Sequence, residues 1–113
     1  MGTMVSKQSR FLSMVARLIL HAEQLGYVLT FGDAYRDPRT FGPHGEHPYS
    51  HPKSLHSKRL AIDLNVFLNG AYLVEAGPVE PLGVYWESLG GAWGGRFTPP
   101  DSGHFSLEHG GMR

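Results

Sequence analysis

Apolar residues recur at intervals of three and four between Ser6 and Leu25, placing Phe11, Met14, Val15, Leu18, Ala22 and Leu25 on one helical face. This spacing predicts an amphipathic helix, and Gly26 supplies its C-terminal stop. Tyr27 to Phe31 then predicts a short strand, so the helix is expected to pack its stripe on a sheet. Farther along, the period changes to two. Leu60, Ile62, Leu64 and Val66 fall on one face of a predicted strand, with Ala61, Asp63, Asn65 and Phe67 on the other. Asn69-Gly70 marks a hairpin, with Ala71 to Val74 returning as the partner strand. Pro81 to Leu89 predicts a short helix that starts at its proline, ends before Gly90-Gly91 and turns Trp86 inward. Gly103 to Leu107 predicts a last strand, with His104 and Ser106 opposite Phe105 and Leu107.

Between Asp37 and Ser54 the pattern disappears. Pro38, Pro43, Pro48 and Pro52 alternate with Gly42, Gly45 and three histidines, a composition that opposes helix and strand alike. Loops longer than about 12 to 15 residues in compact domains are commonly lids or binding loops, which raises the expectation of a site nearby; simple disorder is the other reading. His44, His47 and His51 in this loop are irregularly spaced, and the plain reading is solvent-exposed residues rather than a second metal site.

Composition narrows the chemistry. At 113 residues the chain suits one domain, 1–113, and with no cysteine any metal must be held by nitrogen and oxygen. Ten basic and ten acidic residues cancel, which removes the electrostatic footprint of a nucleic-acid binder. The balance is uneven along the chain: Met1 to Arg59 carries eight Lys/Arg against four Asp/Glu, and the remainder two against six. Two solvated surfaces that attract each other explain that more readily than a carboxylate-bearing substrate does. No stretch has the roughly 18 apolar residues of a membrane helix, and Phe11 to Leu20, interrupted by Arg17, makes a poor secretory signal. The expectation is cytoplasmic synthesis without stable membrane insertion, as a monomer.

Three residues carry candidate chemistry. His56 precedes the central strand, Asp63 sits within it among Ala61, Ile62 and Leu64, and His104 begins the last strand. A lone carboxylate in such company is costly to bury without a cation or hydrogen-bond donors. Zinc in catalytic sites takes three protein ligands and keeps one position for water, lowering the pKa of that water toward about 7. Asp101, three residues before His104, is a candidate general base, and Arg36, after the first strand, a candidate for gripping a substrate carboxylate or carbonyl. Each has a plainer alternative: histidines as polar strand-end residues, Asp63 capping a turn or pairing with Arg59 or Lys58, Asp101 as a turn former, Arg36 as a surface residue or the partner of Asp33.

Ser54-Leu55-His56-Ser57-Lys58-Arg59-Leu60-Ala61-Ile62-Asp63 resembles the Ser-x-His-x-x-Gly-x-Ala-x-Asp motif of zinc D-alanyl-D-alanine carboxypeptidases and their phage endolysin relatives. Asp101-Ser102-Gly103-His104-Phe105 is similar to the second motif of that family, Ala34-Tyr35-Arg36 to its substrate-contacting Gly-Tyr-Arg stretch, and Trp86 to Gly95 to its linker. The resemblance covers roughly Phe31 to Phe105 and departs from the pattern at Arg59 and Ala34, where the family has glycine. It implies a small α+β domain whose antiparallel sheet carries a zinc site, flanked by an N-terminal helix and a short helix, as in hedgehog and DD-peptidase domains. It also implies zinc ligation by His56, Asp63 and His104, acid/base catalysis by Asp101 and substrate binding by Arg36. The implied activity is hydrolysis of peptidoglycan stem peptides, expected as an L-alanyl-D-glutamate endopeptidase of the endolysin type acting on the cell wall after release. The rivals are a D-alanyl-D-alanine carboxypeptidase or dipeptidase, a non-catalytic zinc-binding module of the same fold, and a non-haem iron oxygenase, whose two-histidine, one-carboxylate site has no use for Asp101.

Overall fold

The computed structural model describes residues 2–32, 55–56 and 58–113. The first helix, α1 (Thr3–Gln24), is followed by β1 (Tyr27–Phe31), β2 (Ala61–Leu68), β3 (Ala71–Leu73), α2 (Ala76–Ser88), β4 (Ala92–Trp93) and β5 (His104–Ser106). The result is a small α+β structure with an antiparallel sheet in the order β1-β2-β5-β4. β3 pairs with the C-terminal part of β2, and β5 with its N-terminal part.

Helix α1 starts at Thr3, three residues before the predicted start at Ser6, because nothing in Thr3 to Val5 breaks it and the Ser6 amide donates to Gly2 O at 3.0 Å. Phe11, Met14, Val15, Leu18 and Ala22 are buried as the spacing predicts. Leu25, one position past the helix, is 47% exposed. The Asn69-Gly70 turn carries positive φ at both residues (52° and 80°), which suits a right-twisted hairpin.

Two elements differ from the sequence expectation. α2 begins at Ala76, so Pro81 lies inside the helix rather than at its start. The buried face explains this: Val79, Leu82, Gly83 and Trp86 recur at helical spacing, and that stripe begins before the proline. Burying it outweighs the one backbone hydrogen bond that Pro81 cannot donate. β4 has no counterpart in the sequence pattern, since two residues are too few for a period to show.

The core is centred on aromatic contacts. Trp86, Trp93 and Phe105 are fully buried, and Trp86 meets Phe11 and Phe105 edge-on with ring centroids 5.7 Å apart in both cases. The indoles also pin the segment that carries the last strand: Trp86 Nε1 donates to Ser106 O and Trp93 Nε1 to Ser102 O, both at 2.9 Å.

Candidate metal centre

His56 is held in a tight turn ahead of β2. The Leu60 amide donates to Leu55 O at 2.9 Å and the Arg59 amide to His56 O at 3.1 Å, the double closure of a Schellman turn. Arg59 occupies the left-handed position of that turn at φ 57°, where the family pattern has glycine. The departure at position 59 therefore leaves the turn in place and strains one residue.

Asp63 and His104 are brought together by sheet register. They are direct cross-strand partners of β2 and β5, an arrangement that puts two side chains on one face with Cβ atoms about 4.5–5.5 Å apart. A slip of one residue would turn them to opposite faces. His104 Nδ1 lies 3.1 Å from Asp63 Oδ1, and His56 Nε2 lies 3.4 Å from Asp63 Oδ2. Both imidazoles are buried, at 5% and 7% exposure, and the carboxylate between them is half-buried. One donor atom from each residue fits within a sphere of mutual separations no larger than 4.8 Å. Two ligands about 2.0–2.1 Å from a tetrahedral ion sit roughly 3.3 Å apart, so the observed separations suit a shared divalent ion. His104 Nε2 is buried and has no hydrogen-bond partner among the described residues. The carboxylate's ion-pair partners among these residues are the two histidines, and not Lys58 or Arg59.

Asp101 is exposed in the loop entering β5, with its backbone fixed at both ends: its amide donates to Gly94 O at 2.8 Å, and its carbonyl accepts from the His104 amide at 3.2 Å. Gly94 makes this possible. A Cβ there would stand 2.2 Å from Asp101 O and 2.7 Å from His104 Cβ, closer than atoms can pack. In the sequence Gly94 stands only within the stretch that resembles the family linker; its role is a close approach that becomes visible once β4 and β5 are paired.

Asp101 also lines an open groove of about 780 Å³ with Arg96, Phe97, Thr98, Pro99, Pro100, Gly111 and Arg113. Phe97 joins this groove to the cluster of His56, Asp63 and His104, its ring 5.3 Å from that of His104. Arg96 is committed elsewhere, bonding Glu87 through Nε and Nη2 at 3.1 and 3.0 Å with Glu80 at 3.7 Å. Those hydrogen bonds hold the Glu87 carboxyl below its usual range. Arg36, the Ala34-Tyr35-Arg36 stretch and His44, His47 and His51 lie outside the described residues.

A family model described as D-alanyl-D-alanine carboxypeptidase matches residues 49–107, just over half of the chain. The matched span contains His56, Asp63, Asp101 and His104 and excludes Arg36 and Arg113. No curated protein matches the chain.

Proposed function

Because this chain belongs to the D-alanyl-D-alanine carboxypeptidase family, we propose that it is a zinc metallopeptidase hydrolysing peptidoglycan stem peptides, most specifically an L-alanyl-D-glutamate endopeptidase of the endolysin type. The observation that carries this reading is the convergence of His56 Nε2, Asp63 and His104 Nδ1 within the reach of one ion. Two nitrogens and a carboxylate with no thiolate are the donor set of hydrolytic zinc sites. Bound there, zinc would supply a polarised carbonyl and a water acidified toward neutral pH.

The chain's own residues do the rest. The Asp101 carboxylate takes the proton from the attacking water and returns it to the leaving amine, a transfer contributing about 10²- to 10⁴-fold. Its exposure on the groove leaves it open to substrate, and the Gly94 contact fixes its backbone beside His104. Arg36 holds a substrate carboxylate or carbonyl through its planar fork. On this reading residues 1–113 act as one catalytic domain and a monomer, made in a bacterial host cytoplasm and meeting the cell wall after release. Among the described residues no helix is long and apolar enough to cross a membrane.

A second reading, a D-alanyl-D-alanine carboxypeptidase, is favoured by the description of the matching family. Digestion of purified peptidoglycan followed by mass spectrometry separates the two. Fragments ending in free L-alanine support the endopeptidase, loss of a single terminal D-alanine supports the carboxypeptidase, and an unaltered wall at full zinc occupancy overturns both.

A further inference from the structure

The groove beside the metal-facing cluster contains a second cation that nothing above employs. Arg113 lies with its guanidinium carbon 5.3 Å from the centre of the Phe97 ring, and Phe97 in turn lies 5.3 Å from His104. Unlike Arg96, Arg113 has no carboxylate partner among the described residues. The backbone that delivers it is folded rather than trailing. His109 and Met112 exchange hydrogen bonds at 2.9 and 3.0 Å across Gly110-Gly111, whose φ values of 58° and 81° are those of a tight two-residue turn. Met112 packs against the hydrophobic core, and Lys7 reaches His109 at 3.3 Å. A guanidinium held over an aromatic face keeps its N–H fork available for a planar anion.

We propose that Arg113 is a specificity-determining residue: with Phe97 beneath it, it forms a subsite for a peptide carboxylate in the groove that also holds Asp101. This rests on the peptidase reading above. The Arg113 guanidinium carbon stands 5.3 Å from the Phe97 ring centre and that ring 5.3 Å from His104, a path no longer than roughly three residues of extended peptide, so the recognised carboxylate is expected within about three residues of the cut bond. A charge-assisted pair of this kind discriminates carboxylate from carboxamide by about tenfold or more.

The test uses the zinc-loaded full chain and two synthetic stem peptides that differ only by carboxylate or carboxamide at a position within three residues of the scissile bond. The parent protein is expected to favour the carboxylate peptide about tenfold in kcat/KM. Arg113→Gln should bring that ratio close to one, chiefly through KM, and Arg113→Lys should restore part of it. Arg17→Gln, which changes an exposed cation on α1, should keep the parent ratio. A parent ratio near one, or a tenfold preference that survives in Arg113→Gln, overturns the subsite while leaving the peptidase reading intact. If neither peptide is cut, the peptidase reading falls, and equilibrium binding of the same pair decides for Arg113: equal affinities overturn the subsite, and a carboxylate preference lost in Arg113→Gln supports it.

Discussion

Asp101 and Asp63 are both carboxylates, and their surroundings suit them to different work. Asp63 sits between two buried imidazoles, whereas Asp101 is exposed on the groove. Asp101→Asn keeps the shape and removes the proton acceptor, so zinc stoichiometry by elemental analysis should match the parent while peptide release falls by at least about 10²-fold. Asp63→Ala removes the carboxylate both histidines face, and zinc occupancy itself should fall. A parent-like zinc content in Asp63→Ala, or parent-like turnover in Asp101→Asn, contradicts these assignments. Arg59 supports a third prediction. A non-glycine residue in the left-handed region costs about 1–2 kcal/mol, partly offset by the greater freedom glycine has when unfolded. Arg59→Gly should therefore raise the urea midpoint by an amount equal to at most about 1 kcal/mol, without loss of zinc. The sequence made position 59 conspicuous only through its departure from the family motif; its backbone angle depends on the Leu55–Leu60 closure, which no local propensity encodes.

The strands and helices show how unevenly a sequence discloses its own structure. α1 and β2 were legible because each is long enough to display a period, β1 because its residues are β-rich and follow the Gly26 stop, and the hairpin because Asn69-Gly70 has one dominant conformation. The start of α2 was not, since a proline that usually opens a helix is here overruled by a stripe buried on both sides of it. The donor set was legible as residue types and, with the family motifs, as a site. The β2–β5 register that unites Asp63 with His104 is a tertiary fact, as is the meeting of Arg113 with Phe97. The approach of β4 to β5 gives a prediction at this level. Gly94→Ala should cost about 1–3 kcal/mol of stability and weaken zinc binding, because the new methyl must displace either the Asp101 carbonyl or His104. Gly77→Ala, where an added Cβ meets nothing within 4 Å of an α2 position, is the matched control and should be neutral or slightly stabilising. Equal losses of zinc affinity in the two variants would count against the positioning role of Gly94.

Taken as one body, the molecule closes its candidate centre from a turn and two neighbouring strands, at positions 56, 63 and 104. An ion bound only by the folded chain adds stability by mass action, about 4 kcal/mol at a free concentration a thousandfold above Kd. Chelation should therefore lower the melting temperature of the parent by several degrees and leave that of Asp63→Ala where it was; an unchanged parent Tm would mean that the three side chains hold no ion. The cross-strand pairing of Asp63 with His104 also locates the weakness that chelation exposes. β5 contributes three residues to its ladder with β2, whereas β1 contributes five, so an ion held there would act as a clasp on the shorter seam. With the clasp released, the amides that bridge β2 and β5, Leu64 to Gly103 O and Leu107 to Leu60 O, should exchange with solvent well before those at 65–68, and the sheet would come undone first along this seam.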